Sequence, residues 1–201
     1  MLSRGDTLVL ATHNQGKVDE MLALLAPFGI KVRSAADFGI EAPEETESTF
    51  VGNARIKAHH VSGLTGLPAL ADDSGIEVAD LDGAPGVYTA DWAETPSGRD
   101  FLIAMTRTWN LVMATGKPAP HFARFCSTLV LARPDGQERV FDGHVEGELV
   151  WPLRGALGHG YDPMFQPIGQ SRTFAEMAAE EKNAISHRAR AFEKLCAHCF
   201  T

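Results

Sequence analysis

Long apolar runs are missing from this sequence, and none reaches the roughly 18 residues that a membrane-spanning helix needs. The first residues, MLSRGDTLVL, also lack the apolar stretch of a secretory signal peptide. Cysteine is scarce, and an odd total of 3 does not suit a framework of disulfide bonds. These absences predict a cytoplasmic protein with reduced thiols and with no membrane as a partner.

Positive charge is the second shortage. The chain has 18 Lys and Arg against 26 Asp and Glu, which gives a formal net charge of -8. Non-specific binding of nucleic acid needs a basic surface that displaces counterions, so we expect no nucleic-acid partner. An anionic ligand would require cations gathered in one place, so the position of each lysine and arginine matters.

Strand-like and helix-like segments alternate along the chain. Thr7 to Ala11 has the pattern of a buried strand, apolar residues at helical spacing follow it and end before Pro27, and Ile30 to Ser34 has the pattern of a second strand. The later expected elements are a loop at Glu41 to Ser48, a helix after it, two short strands separated by a turn at Gly75, a helix over Arg99 to Thr115, a hairpin over Ala123 to Val150 and a last helix from Ser186. Such alternation predicts an α/β fold, and the hairpin predicts a mixed sheet.

The chain is long enough, at 201 residues with 44% apolar composition, to bury one hydrophobic core. We therefore expect a single domain over residues 1–201, in which two lobes can form. The CAHC at 196–199 offers at most three soft ligands on one short segment, whereas structural zinc needs four. Cys196 and Cys199 are therefore predicted to face the core from a terminal helix.

Two neighbouring carboxylates, Asp72 and Asp73, end an apolar run in LADDSG. One interpretation is a turn, because Asp, Ser and Gly all favour turns. The other is a site for a divalent cation. Glu44 and Glu45 in the acidic loop are further hard oxygen donors, of the kind that Mg²⁺ binds together with waters and substrate phosphates. A carboxylate in such a site can also orient and deprotonate a water molecule.

Cations cluster at three predicted helix starts. THNQGK, residues 12–17, lies between the first strand and the first helix, where backbone N–H groups favour an anion, and Lys17 adds a positive charge. The alternative is an ordinary turn between strand and helix, in which Asn14 caps the helix. Asn53 and Lys57 share one face of the next helix. Lys182, His187, Arg188 and Arg190 come together in EKNAISHRAR, which an exposed basic helix end would also explain.

GALGHGYDPMFQP, residues 155–167, combines three glycines with an imidazole and a phenol. The glycines permit close approach of a flat ligand, and His159 or Tyr161 is placed to lie against a base ring. The alternative is a glycine-rich turn with Tyr161 and Phe165 in the core.

The sequence resembles the inosine triphosphate pyrophosphatase family in the motifs THNQGK, EETESTFVGNARIKA, ADDSGIEV, GAPGVY, GHGYDPMF, FAEM and EKNAISHRARA. The resemblance runs from Thr7 to about Leu195 and is specific, because all the motifs occur in the family order. It implies hydrolysis of the noncanonical purine nucleotides ITP, dITP and XTP between the α and β phosphates, giving the monophosphate and pyrophosphate. It also implies Mg²⁺ as cofactor, a homodimer, and an elongated twisted sheet flanked by helices, with two lobes and a central nucleotide cleft.

The same resemblance implies roles for individual residues. Glu44 and Asp73 are expected to bind the metal, and Asp73 is also expected to accept the proton of the attacking water. Asn53 is a further candidate beside Lys57 for assisting the triphosphate. The residues expected to bind the substrate are Thr12, His13, Asn14, Gln15, Gly16, Lys17, Lys57, Ser74, His159, Gly160, Tyr161, Asp162, Lys182, His187 and Arg188.

Base selectivity has a physical interpretation. Hypoxanthine and xanthine carry a 6-oxo acceptor where adenine carries an amino donor, so donors near His187 and Arg188 would favour oxo-purines. Two positions depart from the family pattern. His159 stands where the family usually has phenylalanine, so the expected aromatic stacking partner is an imidazole. Asp91, in Thr-Ala-Asp, stands where the family often has the arginine of Ser-Ala-Arg, so that arginine's contacts cannot be carried over.

Two other functions remain open on the sequence. A pyrophosphatase for dTTP, UTP or modified pyrimidines would use the same phosphate cradle and acids, and would differ at His159 to Asp162. A nucleotide sensor would bind ITP without consuming it, although plain binding does not require a carboxylate pair.

Overall fold

The computed structural model describes residues 1–200. The first half of the chain alternates as expected. Its elements are β1 (Thr7–Leu10), α1 (Gln15–Leu25), β2 (Lys31–Ser34), α2 (Phe50–Thr65) and β3 (Ala69–Val78). The acidic loop at residues 41–48 contains neither helix nor strand, as predicted.

The second half combines a small hairpin, long strands and three helices. Its elements are β4 (Glu94–Thr95), β5 (Gly98–Arg99), α3 (Phe101–Ala114), β6 (Phe122–Ala132), β7 (Glu138–Leu149), β8 (Phe165–Pro167), α4 (Ala179–Ile185) and α5 (His187–Cys199). Six strands form one sheet in the order β2-β1-β3-β6-β7-β8, while β4 pairs only with β5. Strand β1 is parallel to β2 and β3, whereas β7 is antiparallel to β8. The predicted α/β class with a mixed sheet is therefore confirmed.

The helix starts follow from local capping chemistry. The side chain of Asn14 accepts a hydrogen bond from the Lys17 N–H at the start of α1. Thr49 and Asp100 cap α2 and α3 in the same way. Such caps satisfy backbone donors that have no partner inside the helix. Helix α2 ends at Gly66, which adopts a φ of +67° that other residues rarely reach.

Two compact units make up the chain. The first unit comprises residues 1–73, 127–143 and 188–200, and the second comprises residues 74–126 and 144–187. The first unit contains two buried clusters. One, the α1–α5 core, includes Leu10, Met21, Leu70 and Leu195. The other, the α2 core, is built on Val9, Ala54, Ala58, Ala69 and Ala71.

The second unit has its own aromatic core. Phe125, Tyr161, Phe165 and Phe174 are buried there together with residues of α3. The rings of Phe125 and Phe165 lie edge to face, with centroids 4.6 Å apart. The presence of two units agrees with the expectation of two lobes, whereas the single domain and the central cleft stay predictions.

One secondary-structure prediction was wrong, and one helix was not predicted. The expected turn at Gly75 does not form, and β3 continues through residues 69–78 as one strand. The side chains of Asp72 and Asp73 are buried against cations, so they do not need to turn out to solvent. Helix α4 was not predicted, because AEEKNAI has too few apolar residues to show a helical period. Ser186 lies between α4 and α5, where the last helix was expected to begin.

The three cysteines are free thiols, as expected. Cys199 is buried and Cys196 packs beside it against the α1–α5 core. Burial raises the pKa of both Cys126 and Cys196 to about 12, so neither thiol is activated near neutral pH. Within residues 1–200, no helix is long and apolar enough to span a membrane.

Candidate functional site

The turn between β1 and α1 presents Lys17 to the end of β3. Thr12 is buried, and its hydroxyl accepts a hydrogen bond from the Asn14 N–H at 3.2 Å. The capped first turn of α1 brings the Lys17 Nζ to 2.6 Å from Asp72 Oδ2. Since only 18% of the Lys17 side chain is exposed, this ammonium is directed by the protein rather than by solvent.

The other polar residues of this turn have partners elsewhere. The His13 Nε2 lies 2.8 Å from the carbonyl oxygen of Ile40, and the Gln15 Nε2 donates to Asp19 Oδ1 at 2.7 Å. Gly16 lies in the first turn of α1. Of these three side chains, Lys17 is therefore the one that contacts Asp72 of β3.

Asp72 lies at the centre of a buried polar cluster. Its Oδ1 accepts a hydrogen bond from the Ser127 hydroxyl at 2.5 Å, and its Oδ2 faces both Lys17 and the Arg188 Nη2, which is 3.4 Å away. Arg188 also pairs with Glu20 of α1. Burial alone would raise the pKa of Asp72, but Lys17 and Ser127 outweigh it and hold that pKa below its usual range.

Asp73 has a different environment, beside α2. Its Oδ1 lies 3.1 Å from the Lys57 Nζ, which also contacts Glu45 Oε2 at 3.0 Å. Its Oδ2 is buried and has no hydrogen-bond partner among residues 1–200. Burial raises the pKa of Asp73 to about 6, although Lys57 and Lys17 oppose the rise. This carboxylate is therefore the less satisfied of the two.

The two neighbouring acids face opposite sides of β3, because successive side chains of a strand alternate. Leu70 and Asp72 belong to the side that packs on α1 and α5. Ala69, Ala71 and Asp73 belong to the side that packs on α2. Each carboxylate therefore meets its own set of cations, which reduces the repulsion expected between adjacent acids.

The acidic loop approaches Asp73 through Glu45 rather than Glu44. Asn53 accepts a hydrogen bond from the Glu47 N–H at 2.9 Å and so ties the loop to α2. Glu45 contacts Lys57, while Glu44 is exposed and makes no hydrogen bond or ion pair with the rest of residues 1–200. The assignment of Glu44 as a metal ligand stays a prediction.

The residues around Asp73 fit a hard divalent cation. The buried Asp73 Oδ2 lacks a partner, and the Glu45 carboxylate contacts Lys57, which lies beside Asp73. No group of three or more His, Cys, Asp and Glu side chains that could hold a metal exists in the part of the chain that the structure describes. Mg²⁺ needs no such cage, since it usually keeps waters and binds one or two carboxylates together with substrate phosphates.

The second unit contains the other predicted residues. Asp162 and Lys182 form a buried ion pair in which Lys182 Nζ lies 2.6 Å from Asp162 Oδ2. The same oxygen accepts a hydrogen bond from the His159 N–H at 2.7 Å. Gly158 is required here, because a side chain on it would collide with the Asp162 carboxylate. The result is a fixed loop that leaves the His159 imidazole exposed.

Tyr161 belongs to the core of the second unit. It is 1% exposed, and its hydroxyl lies 3.1 Å from Thr108 Oγ1. Burial raises the pKa of Tyr161 above its usual range. These contacts favour the core interpretation of Tyr161 over a base-stacking one, whereas Gly160 beside it is half-buried.

His187 and Ser74 complete the predicted set. The His187 imidazole is buried and stacks on Phe125, with centroids 4.9 Å apart and planes inclined by 13°. Ser74 follows Asp73 in β3 and is half-buried. Both residues belong to the second unit, whereas the phosphate-binding candidates and the carboxylates belong to the first.

Sequence reasoning missed three residues of these clusters. Ser127 donates a hydrogen bond to Asp72, and Glu20 pairs with Arg188. Thr108 orients Tyr161 through the contact between their hydroxyl groups. Ser127 lies inside a continuous strand pattern, so nothing local distinguishes it from an ordinary buried serine. Only the spatial pairing of β6 with β3 could have identified it.

Comparison with known proteins identifies the family. The model of the Ham1 family matches residues 8–198. The chain belongs to the Ham1 family. The match covers almost every segment described above, which agrees with the resemblance inferred from the ordered motifs.

Curated relatives cover the chain nearly end to end. A protein of Ruegeria pomeroyi named dITP/XTP pyrophosphatase is 63% identical over 196 residues, which are 98% of this chain and 96% of that protein. A protein of the same name from Agrobacterium fabrum is 50% identical and covers 96% of this chain and 95% of its own.

Solved structures of Ham1 proteins have the same fold. The HAM1 protein of Coxiella burnetii matches with a TM-score of 0.88 at 38% identity, over 96% of this chain and 97% of that chain. A nucleoside-triphosphatase, also called dITP/XTP pyrophosphatase, from Mycobacterium abscessus matches with a TM-score of 0.76 at 35% identity. The match covers 94% of this chain and 98% of that chain.

Proposed function

We propose that this protein hydrolyses the noncanonical purine nucleoside triphosphates dITP, XTP and ITP to the monophosphate and pyrophosphate in the presence of Mg²⁺. One observation in the structure carries the proposal. The buried Asp73 carboxylate has an oxygen without a protein partner and a pKa of about 6, and lies against the cation Lys57. A structural carboxylate is normally fully hydrogen-bonded, so this one is suited to a cation and a water.

The activity class rests on the relatives. Both curated relatives described above are named dITP/XTP pyrophosphatase, and the structural neighbour from Mycobacterium abscessus is named a nucleoside-triphosphatase. The protein is accordingly an enzyme of the hydrolase type that acts on nucleoside triphosphates. Removal of noncanonical nucleotides from the cytoplasmic pool is the biological role that we propose for it.

The first unit supplies the proposed phosphate chemistry. Lys17, at the positive end of α1, and Lys57 are the cations for the triphosphate. Asp73 accepts the proton of the attacking water, since a carboxylate of raised pKa near neutrality is a competent general base. Glu44 and Asp73 hold the proposed Mg²⁺, which neutralises phosphate charge when it is bound.

The second unit supplies the proposed base recognition. The exposed imidazole of His159 is available to stack on a purine, and the buried pair of Asp162 and Lys182 fixes the loop that carries it. A 6-oxo group accepts hydrogen bonds, so donors at that edge, such as His187, favour hypoxanthine and xanthine over adenine. Arg188 is held by Asp72 and Glu20 in the first unit, which favours a place for it near Lys17.

A pyrophosphate-release panel tests the proposal. With Mg²⁺, we expect turnover of dITP, ITP and XTP at least about tenfold faster than of GTP or ATP, because one unpaired buried polar group costs about 1–3 kcal/mol. Chelation of the metal by EDTA should stop the reaction. Preference for dTTP or UTP would instead support a pyrimidine enzyme, and tight binding of ITP without any product would support a sensor.

We also propose a homodimer that uses an exposed face of α3. Leu102, Ile103 and Leu111 are 57%, 50% and 40% exposed on this helix, and such apolar patches commonly mark protein interfaces. Light scattering after size exclusion should give twice the 21.7 kDa chain mass. Ile103→Glu should yield monomers, whereas Leu64→Glu, at a 64% exposed position of α2, should not. A monomeric wild-type protein would contradict the proposal.

A further inference from the structure

We infer that Asp72 and Ser127 form a positioning pair that fixes Lys17 and Arg188, and that Asp72 acts neither as a metal ligand nor as the base. This inference rests on the proposed function of the same site and goes beyond it by separating the roles of two adjacent acids. It starts from the contacts of Asp72. Both of its oxygens already have partners, Ser127 on Oδ1 and the two cations on Oδ2.

The contrast with Asp73 gives the first support. Asp72 is 1% exposed and is satisfied by hydroxyl, ammonium and guanidinium groups, whereas Asp73 retains a buried oxygen without a partner. A metal would have to displace charged partners from Asp72, which are among the strongest hydrogen-bond donors in proteins. No displacement is needed at Asp73 Oδ2. Of the two acids, Asp73 is therefore the one with an oxygen available to a metal or a water.

The topology gives the second support. Asp72 lies on the side of β3 that packs on α1 and α5, and it links Lys17 of the first helix to Arg188 of the last, 171 positions later. Without this carboxylate the two cations would repel each other in a buried place. Ser127 of β6 fixes the other oxygen, so the orientation of the carboxylate is set from the neighbouring strand.

This geometry determines how Lys17 meets a ligand. An ammonium has three donors, and one of them is directed at Asp72 at 2.6 Å. Its remaining donors are then oriented before any triphosphate arrives, so less side-chain entropy is lost on binding. Since Lys17 would contact phosphates in the ground state and the transition state alike, loosening it should raise KM and leave kcat nearly unchanged.

The test compares hydroxyl variants on neighbouring residues of β6. Ser127→Ala should raise KM for dITP about tenfold and change kcat less than about threefold, because a hydrogen bond to a charged group is lost. Ser127→Cys, which keeps a weak donor, should fall between alanine and wild type. Thr128→Val removes a comparable hydroxyl–carboxylate bond, to Asp142 at 2.6 Å, and should leave KM unchanged.

Two outcomes would overturn the inference. If Ser127→Ala lowers kcat with KM unchanged, the pair affects either the amount of folded enzyme or the chemical step, and it does not position Lys17 for binding. If Thr128→Val raises KM as much as Ser127→Ala does, the effect is a general loss of stability. A larger KM rise in Asp72→Asn, in which the amide keeps the bond from Ser127 but loses the charge, would support the positioning role.

A second measurement does not depend on turnover. Reductive methylation followed by peptide mass analysis reports the accessibility of each lysine, with the exposed Lys31 as the internal reference. Lys17 should react slowly in the wild type and at least about fivefold faster in Asp72→Asn, because its ion pair is lost. Equal rates would refute the pairing. Faster labelling in a protein that hydrolyses no nucleotide would uphold the pairing while the proposed function fails.

Discussion

Asp73→Asn should reduce pyrophosphate release from dITP by about a thousandfold or more, since a general base alone contributes about 10²–10⁴ in rate. The amide keeps the shape of the side chain but cannot accept a proton from water, and it is a poor ligand for Mg²⁺ compared with a carboxylate. In the proposed mechanism, one substitution therefore removes both the proton acceptor and a metal ligand. Initial rates at saturating Mg²⁺ and dITP measure the effect.

Asp82→Asn is the matched control for this charge removal. Asp82 is exposed and has a φ of +52°, a conformation that asparagine adopts readily, so the same chemical change should be silent there. Circular dichroism and thermal unfolding should show that both variants are folded. Wild-type rates in folded Asp73→Asn would refute the assignment of the base.

The sequence was sufficient for the motifs but not for the relation between the two acids. Adjacency suggested one shared cation site for Asp72 and Asp73. The period of two along a strand instead places them on opposite faces, and it already applied to the predicted strand before Gly75, which ends with both acids. The structure continues this strand past Gly75, although Asp, Ser and Gly normally break strands. Burial against Lys17 and Lys57 overrides that preference.

Contacts between distant segments account for the other differences. Glu44 and Glu45 cannot be told apart in the sequence, and only the folded loop, which Asn53 ties to α2, shows that Glu45 is the one that contacts Lys57. Tyr161 carries the same ambiguity between base pocket and core, and its hydrogen bond to Thr108 of α3 favours the core. Local periodicity contains no information on either pairing.

Lys182→Met should lower the free energy of unfolding by about 3–5 kcal/mol, because it leaves a buried charge without its partner. Lys182 and Asp162 have side chains only 9% and 2% exposed and lie 2.6 Å apart. Methionine fills much of the same volume, so the loss is electrostatic rather than a cavity. Urea denaturation measures the change, and Tm should fall by about 10 °C.

Two further variants separate this structural role from substrate binding. Arg172→Met breaks an ion pair to Glu181 of similar length, 2.7 Å, but both partners are about half exposed, so Tm should hardly change. Lys182→Met combined with Asp162→Asn removes the stranded charge and keeps the acceptor for His159, so most of the stability should return. A stable double variant with normal KM would show that Lys182 and Asp162 serve only the fold, whereas a raised KM in the same protein would support the contact with substrate that the family resemblance implies for this pair.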